Sequence, residues 1–285
     1  MGRFFYTFLF LSSFLGCALT IFSMPVAAKK TQWVEADHVK ARLVMEKDSI
    51  GPKTQTLRAA LQIKLEPGWH SYWRTAGDAG LPPELDWKKS KNLKALNIEW
   101  PVPERFNEAG FYTYGYKDGL ALPLTFTPKE KAAPLIVDMD VTLMVCKQIC
   151  IPQNINFDLE IPSGDGAESD HRNIVSAAFK NIPHKGNLDD LKIENLAVGL
   201  DRLVVTATDN RGITKDSDIF VEAVNLSLSN PPVMEFDEDK LPARTVRFII
   251  QADEDIENLS QALSGEKLIL TLTNRGRSIE KSFNF

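Results

Sequence analysis

The stretch PLIVDMDVTLMVCKQICIPQNINFDLEIP, residues 134–162, alternates apolar and polar side chains on both sides of a pair of cysteines. Alternation with a period of two is the pattern of a β-strand that buries one face. Four positions separate Cys146 from Cys150, which in a straight strand is about 13 Å. A disulfide needs Cα atoms within about 7 Å. A disulfide between them therefore requires the chain to turn at residues 147–149.

A hairpin that places Cys146 opposite Cys150 matches the two strands along their whole length. Its apolar residues face one another on one side, in the pairs Val141–Ile155, Met139–Phe157, Val137–Leu159 and Leu135–Ile161. Its polar residues face one another on the other side, in the pairs Thr142–Asn154, Asp140–Asn156 and Asp138–Asp158, with Leu143–Gln153 as the poor match. Cross-strand matching of this kind fixes a hairpin register. Pro152 near the turn indicates an edge strand or a bulge.

Both cysteines occupy even-numbered positions of the hairpin, and this predicts where their thiols lie. Both share the polar side of the hairpin with Asp138, Asp140 and Thr142, so we expect both to lie off the apolar core, at an exposed tip. Thiols there are open to another protein's thiols, as exchange requires. A purely structural disulfide is one alternative, although a disulfide that closes so short a loop adds little stability. A metal-binding site is another alternative, because two thiolates together with Met144 or His70 would suit Cu(I).

The composition excludes one class of partner. The 285 residues are 44% hydrophobic and 25% charged, which is ordinary for one large globular domain or two of moderate size. The formal net charge is -5, without a run of lysine and arginine. Nucleic-acid binding needs a basic surface that neutralises phosphates. We therefore expect no nucleic-acid partner.

The N-terminus carries the pattern of an export signal. Arg3 precedes an apolar run that contains no charge until Lys29, and the small residues before Lys29 suit cleavage after Ala28. We therefore predict a signal peptide at residues 1–28 and an exported mature protein. An uncut membrane anchor is an alternative, because the run of about 20 residues is long enough to span a bilayer.

The same region affects the cysteine count. LGCA at residues 15–18 faintly resembles a lipoprotein cleavage site, which leaves lipidation as a further alternative. Cleavage after Ala28 would remove Cys17 and leave an even pair of cysteines. An even pair in an oxidising compartment is expected to form a disulfide.

Strand patterns elsewhere predict an all-β chain. Apolar residues alternate at Leu57, Ala59, Leu61, Ile63 and Leu65. Residues 163–187 interrupt such patterns with glycines and a predicted helix from about Ser169 to Lys180. We therefore predict a β-sandwich at 29–162, a linker at 163–187 and a second β-sandwich at 188–285.

Three stretches together resemble a known family. They are PGWHSYWRTAGDAGLPPELDW (67–87), WPVPERFNEAGFYTYGYKDGLALPL (100–124) and VCKQICIP (145–152). They are similar to the N-terminal periplasmic domain of the DsbD protein-disulfide reductases, above all to the ScsB-type branch. The resemblance covers roughly residues 33–162. It implies an immunoglobulin-like sandwich in the periplasm that carries electrons by thiol–disulfide exchange, without a cofactor or a metal.

The resemblance also implies roles for individual residues. Cys150 would attack the partner and Cys146 would resolve the mixed disulfide. A cap loop would shield the pair, with Phe111 as the first candidate for its shielding aromatic. The other cap and flanking candidates are Phe106, Tyr112, Asn107, Glu108, His70 and Tyr72.

The implied partners are separate proteins. A periplasmic thioredoxin-fold protein would accept the electrons. The donor would be a membrane or thioredoxin-like protein, because this sequence shows neither a multi-span membrane segment nor a thioredoxin-like domain. The alternative is a non-catalytic periplasmic binding module, for a protein partner or copper, in which the disulfide is only structural. A redox titration distinguishes the two.

Overall fold

The structure is a computed structural model that describes residues 2, 32–108, 110–236, 243–253 and 256–285. The predicted signal peptide, including Cys17, lies outside these ranges apart from Gly2. Within them, strands predominate and no helix is long and apolar enough to cross a membrane.

Two antiparallel sheets form the first sandwich. One sheet contains, in spatial order, β1 (Val34–Ala36), β2 (Val39–Met45), β3 (Leu57–Leu65), β9 (Gly119–Pro128) and β6 (Leu93–Ile98). The other contains, in spatial order, β11 (Cys150–Ile161), β10 (Leu135–Cys146), β4 (His70–Gly77), β8 (Phe111–Lys117) and β7 (Glu104–Glu108), with β5 (Glu84–Asp86) paired to β10.

The core of this sandwich lies between the two sheets. The alternating residues of β3 are buried, and Leu61 belongs to the same core cluster as Val137 and Phe157 of the opposite sheet. Burying one such side chain contributes about 1.5–3 kcal/mol. The period-two pattern in the sequence is therefore the pattern that forms the core.

The predicted hairpin register is confirmed. Strands β10 and β11 pair from Leu135–Ile161 to Cys146–Cys150, with every predicted pair in place. Pro152 pairs with Met144 without a bulge, and β11 is an edge strand of its sheet. The edge position lets proline lie in the strand, because its missing N–H faces no neighbouring strand.

The predicted helix is also present. Helix α1 (Arg172–Lys180) buries Val175 and Ala178 against Val44 and Ala60. These two strand residues lie on the outer faces of β2 and β3. Helix α1 is thus packed on the first sandwich.

Two further sheets form the second sandwich. One contains, in spatial order, β12 (His184–Lys185), β19 (Arg277–Asn284), β18 (Lys267–Asn274) and β15 (Asp218–Glu222). The other contains β13 (Leu191–Val198), β14 (Arg202–Ile213), β17 (Ala243–Gln251) and β16 (Val233–Glu235). A single turn of helix, α2 (Leu259–Ala262), packs on the core through Leu259.

The predicted fold class is therefore confirmed: an all-β chain with an immunoglobulin-like sandwich followed by a second sandwich. Each sandwich has its own apolar core. A third cluster, formed by Trp73, Tyr114, Tyr116 and Phe220, joins residues of both sandwiches. The two sandwiches thus share a buried aromatic contact.

Candidate redox site

The two cysteines close the hairpin tip as a disulfide. Their Cα atoms are 4.1 Å apart, and the N–H of Lys147 donates to the carbonyl of Ile149 in the turn between them. The two residues differ in access to solvent. Cys146 is 2% exposed, whereas Cys150 lies in the exposed class. An attacking thiolate therefore meets Cys150 first.

The prediction that both cysteines lie at an exposed tip is wrong for Cys146. Strand β4 lies beside β10 at this point, with His70 paired to Cys146. Tyr72, Ala76 and Met144 pack around Cys146. The alternation along the hairpin determines which side of the sheet a residue faces. The side chains that bury Cys146 on that side come mainly from β4, a distant part of the chain.

Tyr72 contacts both sulfur atoms. Its hydroxyl donates to Sγ of Cys146 at 3.1 Å and lies 3.5 Å from Sγ of Cys150. Burial, assisted by the negative charge of Glu108, raises the pKa of Tyr72 to about 12. A free cysteine thiol ionises near pH 8.5. The tyrosine therefore keeps its proton, and can donate it to a sulfur, at pH values where thiolates form.

A glycine allows the loop after β4 to lie against this tyrosine. A Cβ added at Gly80 would be 2.3 Å from the ring of Tyr72, and the backbone there has φ +93°. Both facts disfavour any other residue at this position. Gly80 thus lets the loop approach the tyrosine ring closely.

His70 and Glu108 form the second contact of the site. Nε2 of His70 lies 2.9 Å from Oε1 of Glu108, and His70 is only 6% exposed. Burial lowers the pKa of His70, and the charge of Glu108 opposes that change. The ring of Phe106 stacks on His70 at 5.0 Å, and Tyr72 meets His70 edge-on at 5.4 Å.

The structure brings together some of the predicted residues and separates others. Phe106, Glu108, His70 and Tyr72 form one contact network beside the disulfide. Phe111 is 54% exposed at the start of β8, so Phe106 is the better-placed aromatic of the β7–β8 hairpin.

The two other predicted cap residues bond elsewhere. The side chain of Asn107 accepts from the N–H of Gly110, and the N–H of Tyr112 donates to Asp78 at 2.8 Å. Their described contacts thus stabilise the turn of the β7–β8 hairpin and bind it to the loop that contains Asp78.

Sequence reasoning missed the residues behind the site. No site was predicted in the second sandwich, yet Asp218, Phe220 and Glu222 of β15 contact the elements that carry Tyr72 and Phe106. The available signal was the alternation DIFVE at 218–222, which puts two acids and a phenylalanine on one face. Within the described ranges, no group of three or more His, Cys, Asp and Glu side chains could hold a metal ion.

Fold and site together define a β-sandwich domain with one accessible and one buried half-cystine, the arrangement of a thiol–disulfide exchange domain. Residues 40–161 match the family described as thiol:disulfide interchange protein DsbD, N-terminal. That segment is accordingly similar to DsbD N-terminal domains.

The likeness in fold extends further along the chain. The crystal structure of the N-terminal periplasmic domain of ScsB from Proteus mirabilis is similar at a TM-score of 0.69 and 19% sequence identity. The alignment covers 90% of this chain and 97% of that one, so both sandwiches have counterparts there. A comparison with curated protein sequences finds no match.

Proposed function

We propose that the chain is a periplasmic thiol–disulfide exchange protein that passes reducing equivalents to thioredoxin-fold partners through Cys146 and Cys150. The observation that carries the proposal is the asymmetry of the disulfide: Cys150 is exposed, and buried Cys146 accepts a hydrogen bond from Tyr72. The match of residues 40–161 to a thiol:disulfide interchange family supports it. Domains of this family in general interact with thioredoxin-fold proteins.

The exchange balances in two steps. In the reduced protein, the Cys150 thiolate attacks a disulfide of the partner, and one partner sulfur leaves as a thiolate. The thiolate of Cys146 then attacks Sγ of Cys150, which breaks the mixed disulfide and releases the partner as a dithiol. Two electrons pass to the partner, and this chain returns to the Cys146–Cys150 disulfide.

Re-reduction runs these steps backwards. A donor thiolate attacks exposed Cys150, and Cys146 is the leaving thiolate. The O–H of Tyr72 points at this sulfur and stabilises the negative charge that develops there. We propose a separate membrane or thioredoxin-like protein as the donor. The ScsB structure is described as a periplasmic domain, and that description together with the predicted export signal supports the same compartment here.

Tyr72→Phe is expected to slow reduction of the disulfide by about tenfold, because the leaving thiolate loses one charge-assisted hydrogen bond. The measurement is the second-order rate of reduction by dithiothreitol, followed by acid quenching and thiol labelling. The ring stays in place, so the midpoint of thermal unfolding should change little. An unchanged rate would remove Tyr72 from the mechanism.

A redox titration of the full chain tests the function itself. The proposal expects a midpoint potential above about -300 mV and reduction by thioredoxin, because structural disulfides lie below that value. Samples are equilibrated in glutathione or dithiothreitol buffers and alkylated, and mass spectrometry then measures the fraction of reduced protein. A potential below that limit, with resistance to thioredoxin, would support a binding module with a structural disulfide instead.

A further inference from the structure

The backbone directly after Tyr72 is irregularly paired within its own sheet. Strand β4 pairs with β8 from His70 to Tyr72, and the register then shifts before pairing resumes at Gly77. The described pairing of β4 with β10 is the single pair His70–Cys146. Residues 73–76 therefore lack the regular hydrogen-bond ladder that fixes a strand.

The second sandwich contacts this irregular segment. The carboxylate of Glu222 accepts hydrogen bonds from Nε and Nη2 of Arg74 at 2.9 and 2.5 Å, and from the hydroxyl of Thr75 at 2.7 Å. Arg74 also bonds to Glu280, and both glutamates are 8% exposed. Bidentate hydrogen bonds of this kind fix both position and orientation. They therefore hold the segment in place of the missing interstrand hydrogen bonds.

An aromatic contact holds the residue next to Tyr72. Trp73 is fully buried and meets Phe220 at 6.0 Å with the rings inclined by 62°. Edge-to-face pairs prefer this geometry. Because Trp73 follows Tyr72 directly, an immobile Trp73 also fixes the peptide group that joins them.

The loop that lies against the tyrosine ring is also bound to the second sandwich. Gly80 lies against the ring, and Asp78, two residues earlier, accepts hydrogen bonds from Ser227 at 3.1 Å and from Ser229. Both serines belong to the second sandwich. The segment directly after Tyr72 and the loop against its ring are thus both bound across the domain boundary.

The β7–β8 hairpin is bound to the same strand of the second sandwich. Arg105 donates to both oxygens of Asp218 at 2.9 and 3.0 Å. Its neighbours Phe106 and Glu108 contact His70, on the side of the site. Strand β7 is at the edge of its sheet, so among the described strands it pairs with β8 alone, and Arg105 supplies a second support.

We propose that the second sandwich is the positioning element of the redox site, and that it acts through Tyr72. Asp218, Phe220 and Glu222 form the brace face of β15, since alternate residues of a strand share a face. The brace face fixes the segments around Tyr72 and thereby holds its O–H on Sγ of Cys146. Glu222 and Phe220 are positioning residues, and the inference rests on the proposed exchange function.

Glu222→Gln tests the brace face. Glutamine keeps the size of the side chain but gives Arg74 one oxygen acceptor without charge, so Tyr72 gains freedom. We expect dithiothreitol to reduce the variant about fivefold more slowly than the wild type, in line with the weakening of one charge-assisted contact. Glu194→Gln is the matched control, because it removes an exposed carboxylate from the same sandwich and should leave the rate unchanged.

A double-mutant cycle separates positioning from a general loss of structure. In the Tyr72→Phe background the hydroxyl is absent, so Glu222→Gln should cause no further loss of rate. Additive effects would overturn the inference, and so would an unchanged rate in Glu222→Gln or in Tyr72→Phe. The proposed function would survive either result as long as the wild-type disulfide exchanges with thioredoxin.

A second variant covers the case in which Glu222→Gln does not fold. Thr75→Val removes one hydrogen bond to Glu222 and keeps the shape and strand preference of the side chain. It should slow reduction by about twofold to threefold, since one neutral donor is lost. A wild-type rate in a folded Thr75→Val protein that also shows additivity with Tyr72→Phe would count against the inference.

Discussion

Cys146→Ser is expected to accumulate a mixed disulfide with a thioredoxin-fold partner, whereas Cys150→Ser is expected to abolish exchange. In Cys146→Ser the exposed thiolate of Cys150 still attacks the partner, but the resolving sulfur is absent. In Cys150→Ser the remaining thiol is 2% exposed and lies under Tyr72, where a partner disulfide cannot reach it. The two variants therefore behave oppositely although each loses one sulfur.

The experiment uses each variant in reduced form with oxidised thioredoxin and with a periplasmic extract. Non-reducing gels and mass spectrometry identify the covalent complex and the cysteine that carries it. A reversed pattern, with the complex formed through Cys146, would assign the nucleophile to the buried residue. Absence of a complex with either variant would argue for the structural disulfide of the binding-module alternative.

Trp73→Ala is expected to lower the free energy of unfolding by about 3–5 kcal/mol, the usual cost of truncating a buried tryptophan. Trp73 is fully buried and packs against Tyr114 of its own sandwich and Phe220 of the second one. The guanidinium of Arg74 also lies over its ring, 4.6 Å from the centroid. Truncation therefore opens a cavity at the contact between the sandwiches.

Urea unfolding monitored by circular dichroism measures this change. Trp33→Ala is the matched control, because Trp33 is partly exposed and its ring contacts are cationic side chains, worth about 0.5–1 kcal/mol each at such sites. Equal losses in the two variants would mean that the contact between the sandwiches contributes no more than a surface aromatic does.

The hairpin shows how much a local pattern can determine. Its register follows from alternation together with the placement of Cys146 opposite Cys150, because a shift by one residue would turn Val137, Met139 and Val141 toward solvent. For this reason the fold class, the hairpin and the disulfide could be predicted from the sequence.

The chemistry of the pair could be predicted only in part. A family resemblance predicts Tyr72 and His70 as flanking residues, but nothing in the local pattern indicates that the hydroxyl of Tyr72 contacts both sulfurs. Tyr72 is 74 positions from Cys146 in the sequence. The burial of Cys146, which makes the two half-cystines different, depends on that long-range contact.

Strand β15 shows both what the sequence determines by itself and what only the tertiary structure decides. Its sequence, DIFVE, determined by itself that Ile219 and Val221 face one side and that Asp218, Phe220 and Glu222 face the other. Only the tertiary structure decided that the second face meets Arg105, Trp73 and Arg74 behind the redox site. Periodicity is a property of neighbouring residues, whereas the partner of a face is set by packing between segments that are more than 100 positions apart.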